Sequence, residues 1–346
     1  MFIGQTPFPG RVSKQTRMVI RYHDAIPVMM PHTIPEKSMH QATHFRALQS
    51  NVRDGAWFAC VSETTRKDLL KLFPEAAAKS VTIHNMVSHN YFREEADLEA
   101  AKRVVRTRLY EASGWLPTFM TNREKDFFYK SNLESQPFRY LLMVSTIEPR
   151  KNHTRLIAAW ELLKAQNDPN LKLVIVGTLG WDNASIKSAL GSWLERGDAF
   201  MLNAVPAGDL RILYRNALAT VCPSLGEGFD FSGVEAMRSG GITIACDIPV
   251  HREIYDDAAV YFDPYSTMSL ADALVKTLYS KGSAEQVEQL KRRGWDVSSR
   301  YLPQAILPKW DEFLSRLTGK PASQRIDFDP VPAAAEGEAS ILTLAA

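Results

Sequence analysis

The sequence predicts an α/β protein built from parallel, doubly wound sheets, and three observations carry that prediction. From residue 138 onward, short apolar runs alternate with longer amphipathic segments, so strands and helices follow one another in turn. Runs such as LKLVIVG (171–177) are apolar from end to end, as strands covered on both faces are. Residues 1–94 show the same alternation on a shorter scale.

In the second half, FRYLLMVST (138–146) reads as a buried strand and NHTRLIAAWELLKAQ (152–166) as a helix, with Leu156, Trp160 and Leu163 at helical spacing. Strand LKLVIVG leads to helix WDNASIKSALGSWLERG (181–197), and strand AFMLN (199–203) to helix AGDLRILYRNA (207–217). Strand ALATVCPS (217–224) leads into the loop and helix of SLGEGFDFSGVEAMRSGG (224–241). ITIACD (242–247) and AVYFD (259–263) are strands on either side of VHREIYDDA, and LADALVKTLYS (270–280) closes the series. In the first half, MVIRYHD (18–24), AWFACVS (56–62) and SVTIHN (80–85) are strands, separated by helices HQATHFRALQSNVRDG (40–55) and ETTRKDLLKLF (63–73). Such a set is roughly half a doubly wound domain.

Composition narrows the function classes. The 346 residues suffice for about two domains, and 45% apolar residues can fill two cores. A net charge of +2 gives no bulk attraction for nucleic acid. No apolar run reaches the ~18–20 residues of a membrane helix. MFIGQTPFPGRVSK has neither the basic flank nor the apolar core of a signal peptide, so the expected localisation is cytoplasmic. Cys60, Cys222 and Cys246 each sit in or beside an apolar run without a CxxC and read as buried free thiols of a reducing compartment. Residues 95–137 carry mixed charge and few aliphatics and read as an insertion and linker. Within them KRVVRTR and FFYK offer peripheral contact with an anionic membrane face, against the plainer reading as solvated helices. Residues 319–346 are Pro/Ala-rich and expected to be disordered. Asp327 and Asp329 fall in that tail and not after a core strand, so no metal site is expected there.

The stretch 224–241 holds the densest chemistry. Glu227 follows a strand end, and Glu235 lies one turn into the next helix. Ser232 with Glu235 fits a capping box, and Gly226 and Gly228 fit a tight turn. The same geometry also suits a ligand. A helix N-terminus behind glycines presents amide N–H groups and a positive dipole end to a diphosphate. A carboxylate one turn into the helix can accept from ribose hydroxyls, and one before the loop from sugar hydroxyls.

With its surroundings, PSLGEGFDFSGVEAMRSGGITIACDIPVHREIYDDAAVYFDP resembles the E-x7-E signature of family 4 retaining glycosyltransferases of the GT-B fold, whose usual text is close to PS-x-x-EGFGLP-x-x-EAM. VSTIEPRKNHTRLIAAW (144–160) resembles that family's second signature, and VPAGDLRILYRNA the segment before the first. Upstream, RYHDAIPVMMPHTIPE resembles the HD-x-x-P segment and VSETTRKDLLKLFP the VSE-x-x-K-x-D-L helix start, while TIHNM stands where a P-N-G turn is usual. The likeness is close over 138–318 and looser over 18–90.

This resemblance implies two Rossmann-like doubly wound domains, the N-terminal one incomplete. Residues 1–94 would be the partial acceptor-side domain and 138–300 the nucleotide-sugar-binding domain. Residues 301–318 would be a crossover helix, with Trp295 and Trp310 as packing anchors. It implies that Glu235 binds the ribose and Glu227 the donor sugar. The backbone of Gly228, Phe229, Asp230, Phe231 and Ser232 would face sugar and phosphates. Arg150 and Lys151 would neutralise the leaving diphosphate. His23 would face the sugar across the cleft, and Ser62 would cap a helix or touch the acceptor. The implied activity is transfer of a hexose, mannose by preference, with retention, from GDP-mannose or a UDP-sugar to a glycan or lipid-linked acceptor. It needs neither cofactor nor metal, and the leaving phosphate helps to deprotonate the acceptor.

The sequence departs from the family text at Asp230 (usually Gly), Ser232 (usually Pro), Ser145-Thr146 (usually Gly-Arg) and Met86 (usually Gly). Asp230 is expected to bring a carboxylate near the sugar. The family's first strand and glycine-rich loop precede the HD segment and have no counterpart here. A second reading is therefore a non-catalytic nucleotide-sugar-binding chain, a fragment or a subunit of a split enzyme. A third, a sugar-nucleotide epimerase, is disfavoured by the EAM and PRKN segments.

Overall fold

The computed structural model describes residues 1–110, 117–135 and 137–319, so the tail with Asp327 and Asp329 lies outside the described residues. The first sheet collects β1 (Phe2–Gly4), β2 (Met18–Tyr22), β3 (Trp57–Cys60) and β4 (Ser80–Thr82), all parallel in that order. Helices α1 (Ile26–Met29), α2 (Lys37–Arg53) and α3 (Glu63–Leu72) connect them. The sheet has one strand more than expected, because β1 is only three residues long and carries no periodic signal. Alternation along β2 serves two layers. Ile20 and Tyr22 pack with Leu48 of α2, whereas Val19 packs with Ile306, Phe313 and Leu317 from the end of the chain. Arg21 shares the second face and is buried. It donates to Ile83 O (2.6 Å) and Asn85 Oδ1 (2.7 Å), and its guanidinium lies 5.2 Å over the Trp310 ring.

Between the sheets come α4 (Leu98–Arg108) and α5 (Asn122–Tyr129). Val104 and Val105 of α4 enter the core of the second sheet, and Leu109 bridges antiparallel to Leu202. Residues 98–108 thus pack on that sheet as a helix, and Leu109 touches its edge strand.

The second sheet contains β5 (Tyr140–Val144), β6 (Lys172–Val176), β7 (Ala199–Leu202), β8 (Ala219–Cys222), β9 (Thr243–Cys246) and β10 (Ala259–Phe262). Its helices are α6 (His153–Gln166), α7 (Ala184–Arg196), α8 (Ala207–Asn216), α9 (Phe231–Arg238), α10 (Pro249–Tyr255) and α11 (Thr267–Leu278). All its pairings are parallel, in the order β10-β9-β8-β5-β6-β7. The chain builds outward from β5 in one direction and from β8 in the other, so the strand order reverses between them. Parallel sheets bind ligands outside the carboxyl ends of the strands at such a reversal. Helices α12 (Ser283–Ser299) and α13 (Pro303–Thr318) follow, and α13 crosses back to cover the first sheet. Trp310 is part of that contact, whereas the Trp295 ring lies 3.7 Å under Arg238 of α9. Among the described residues no helix is long and apolar enough to cross a membrane. All three cysteines are buried free thiols.

Candidate active site

The loops after β5 and β8 meet at the strand-order reversal. Leu225 N–H donates to Arg150 O (2.9 Å), which fastens one loop to the other. Residues Pro149–Lys151 make a single 3-10 turn, ended by Asn152 in the left-handed region (φ 60°). Asn152 Nδ2 then donates to Pro223 O and Pro264 O, both at 3.1 Å, tying this turn to the ends of β8 and β10.

This frame sets Arg150 and Lys151 around Glu227. Lys151 Nζ lies 2.5 Å from Glu227 Oε1 and Arg150 Nη1 2.9 Å from Oε2. Arg150 also donates to Gly226 O (2.7 Å) and, through Nη2, to Glu148 Oε1 (2.6 Å). The Glu227 side chain is only 8% exposed. Burial opposes its charge, but Lys151 and Arg150 outweigh that cost and hold the carboxyl below its ordinary value. Glu148 shows the reverse balance, because burial raises it against the same two cations. The neighbouring His153 is pushed down to about 3 by burial and then by Lys151, so it is neutral at physiological pH.

Glu235 lies in a different environment. Tyr214 donates to its Oε2 (3.0 Å), and Tyr91, from the stretch before α4, also hydrogen-bonds the carboxylate. Burial raises Glu235 to about 7 against both phenols. The capping box is not formed. Asp230 is the N-cap of α9, its Oδ1 accepting from Ser232 N (3.0 Å) and Ser232 Oγ (2.6 Å). Asp230 also does not point toward a sugar, because its carboxylate is buried with Oδ2 3.2 Å from His251 Nε2. Phe229 turns inward too, its ring edge-on to Tyr301 at 5.3 Å, while Phe231 remains 41% exposed. From 228 to 232 the corner therefore offers backbone more than side chains to a ligand.

The first domain closes on this corner. A Cβ on Gly228 would stand 1.6 Å from His23 O, so only glycine allows the approach. Thr65 Oγ1 donates to Gly228 O (3.2 Å). It is the His23 carbonyl that meets the loop; the imidazole hydrogen-bonds the backbone of Gln5, and burial followed by Arg21 lowers its pKa. Ser62 caps α3, its Oγ accepting from Thr65 N at 3.0 Å. Glu253 of α10 reaches across and accepts from Glu63 N (2.6 Å), Thr64 N (2.7 Å) and Thr64 Oγ1 (2.7 Å), with His84 Nε2 at 2.8 Å. A cavity of about 490 Å³ lies beside Glu227 between the domains, lined among others by Asp24, Met30, Thr64, Val250 and Glu253.

Sequence reasoning did not assign roles to Asn152, Tyr91, His251 or Glu253. His251 and Glu253 lie in the HREI segment, whose place downstream of the corner was the available signal.

Two parallel doubly wound sheets, joined by a returning helix and facing each other across a cleft, define a GT-B glycosyltransferase fold. The sucrose-phosphate synthase of Thermosynechococcus elongatus shares it at a TM-score of 0.67 and 17% identity, over 88% of this chain and 69% of that one. The Anabaena protein HepE, solved in complex with UDP-glucose, superposes at 0.66 with 15% identity, over 87% and 73%. Residues 124–294, which hold Arg150, Lys151, Glu227 and Glu235, match the family described as "Glycosyl transferases group 1". The O-antigen chain mannosyltransferase B of Escherichia coli is 24% identical over 285 residues, 81% of this chain and 67% of its own length. The O-antigen chain mannosyltransferase RfbU of Salmonella typhimurium is 30% identical over 151 residues, 44% of this chain and 40% of its own length. The serotype-specific mannosyltransferase WbdA of Escherichia coli is 31% identical over 164 residues, and the chain spans only 20% of its length.

Proposed function

We propose that this chain transfers a mannosyl residue from GDP-mannose to a growing surface polysaccharide or its lipid-linked precursor, with retention at the anomeric carbon. The observation that carries the reading is the Arg150–Lys151–Glu227 cluster at the strand-order reversal. Two cations there can take up the charge that develops on a departing diphosphate, and they stand in a buried site where such charge is worth most. Glu227 sits between them and the cleft, suited to accept from sugar hydroxyls. Glu235, on the helix that starts at the corner, suits the ribose, its carboxylate held by the phenols of Tyr214 and Tyr91. Arg150 and Lys151 supply the positive charge, so the reading requires no metal. Similarity to two O-antigen chain mannosyltransferases and a serotype-specific mannosyltransferase supports mannose as the donor sugar. UDP-sugars are the competing donors.

The test is incubation of the purified chain with GDP-mannose or UDP-glucose, with a mannose-containing acceptor and with or without EDTA. The expected result is nucleotide release and an α-linked product from GDP-mannose, unchanged by EDTA. Binding of GDP-mannose with neither transfer nor hydrolysis would favour a non-catalytic binding chain. Preference for UDP-glucose would overturn the mannosyl assignment.

A further inference from the structure

Beneath the corner lies a buried pair of titratable side chains for which the transfer reaction itself has no use. His251 is 0% exposed and Asp230 7%. His251 Nδ1 is 2.9 Å from Cys246 O, and a carbonyl only accepts, so Nδ1 carries a hydrogen. Nε2 stands 3.2 Å from Asp230 Oδ2, and a carboxylate also only accepts. The ring is thus anchored through Nδ1 to the end of β9 and lies with its other edge against the Asp230 carboxylate.

The groups around the pair hold it in place. The Tyr255 ring stacks on His251 at 5.1 Å and 25°, and its hydroxyl donates to Asp230 O (3.3 Å). Gly233 fits tightly on that ring, since a Cβ there would come within 2.4 Å of Tyr255 Cζ. Cys222 of β8 lies 3.8 Å from the Tyr255 hydroxyl and 3.4 Å from Ser232 Oγ. The second carboxylate oxygen of Asp230 holds both the amide and the hydroxyl of Ser232. One side chain thus fixes the end of the 225–230 loop and the first turn of α9.

We propose that His251 is a positioning residue: packed against Asp230, it locks the 228–232 turn and thereby the backbone that meets the donor. The proposal rests on the reading of this corner as the donor site. The buried Asp230 carboxylate is held by Ser232 and lies against His251, and moving it would leave buried polar groups unpaired, so the turn has one conformation rather than several. Asp230, the departure that was expected to approach the sugar, acts from behind the turn.

The test uses the full chain with Asp230→Asn and His251→Gln, and reads two quantities. Hydrogen exchange at 228–233 should accelerate in Asp230→Asn by about tenfold or more, with the β5 and β6 amides unchanged. The apparent KM for GDP-mannose should rise about tenfold while kcat changes by less than about threefold. His251→Gln, whose amide can still donate toward Asp230, should show smaller changes in exchange and KM than Asp230→Asn. Unchanged exchange at 228–233 in both variants overturns the proposal. So does faster exchange spread over the whole chain with KM unchanged, the mark of a merely structural pair. If GDP-mannose neither binds nor reacts but the local exchange comes out as expected, the donor reading fails and the hold on the turn stands.

Discussion

The loop carrying Glu227 and the helical turn carrying Glu235 are eight residues apart, yet they treat the same side chain in opposite ways. Glu227 is buried against two cations and stays ionised. Glu235 is buried against two neutral phenols and keeps its proton up to about 7. A phenol stabilises a carboxylate by a hydrogen bond but brings no charge to offset desolvation. One corner thereby holds a permanent anion and a titrating group, which under the proposed function serve the sugar and the nucleotide respectively.

The largest expected effect is at the permanent anion. Glu227→Gln keeps the shape but leaves Arg150 and Lys151 facing a neutral amide. With GDP-mannose as donor, kcat should fall by roughly 100- to 1,000-fold. The chain should lose about 3 kcal/mol of stability, because buried cations have lost their partner. Steady-state kinetics with a thermal melt checks both. A kcat within a factor of three of the original would remove Glu227 from the machinery.

Glu235→Gln should act on binding rather than turnover, weakening GDP by about tenfold, or ~1.4 kcal/mol. Its pH dependence has a definite sign. The native carboxyl holds its proton to about 7, against an ordinary value of 4.5. Between those values the native state binds more protons than the unfolded chain, so stability falls as pH rises through that window. Ribose hydroxyls donate to the ionised form, so nucleotide affinity should rise through pH 7 and binding should release protons. Calorimetry in buffers of different ionisation heat measures that release, and Glu235→Gln should abolish it. Unchanged proton release in the variant would assign the titration elsewhere.

The two halves of the molecule differ in how they are joined, and Glu253 tests the join. Its carboxylate caps α3 across the cleft and meets His84, and although burial opposes its charge, these partners lower its pKa to about 2. That contribution is present above its ordinary 4.5 and is lost as pH falls toward 2. Glu253→Gln should change kcat and KM together by about three- to tenfold, as loosened closure does. X-ray scattering should show a larger radius in the variant. An unaltered radius with unaltered kinetics would make the contact incidental.

Much of the fold was legible in the sequence because it depends on local pattern. Apolar runs located nine of the ten strands among the described residues, and the PRKN and EGF segments pointed to Arg150, Lys151 and Glu227, which the structure brings into contact. The strand order that brings 150 next to 227 follows from the right-handed crossovers of a parallel sheet. What stayed hidden depends on where side chains turn. Asp230 differs from its expected place by a rotation that buries it on His251, and no spacing rule records a partner twenty-one residues away. Glu253 and Tyr91 act across a domain boundary or a linker, where contact order in space and in sequence part company.

The smallest expected effect distinguishes the two possible caps of α9. The S-x-x-E spacing favours Ser232 as cap with Glu235 closing the box, in which case Ser232→Ala would cost about 1–2 kcal/mol. In the structure Asp230 caps the helix through Ser232 N–H, a bond that alanine retains. Only the hydroxyl bond to Asp230 Oδ1 at 2.6 Å is lost, so Ser232→Ala should cost about 0.5–1 kcal/mol and leave the donor KM unchanged. Glu235 carboxylate is occupied at 3.0 Å by Tyr214, so the pair Ser232→Ala and Glu235→Gln should be additive in thermal unfolding to within about 0.5 kcal/mol. Coupling above that value would restore the capping box and take the first turn of α9 away from Asp230.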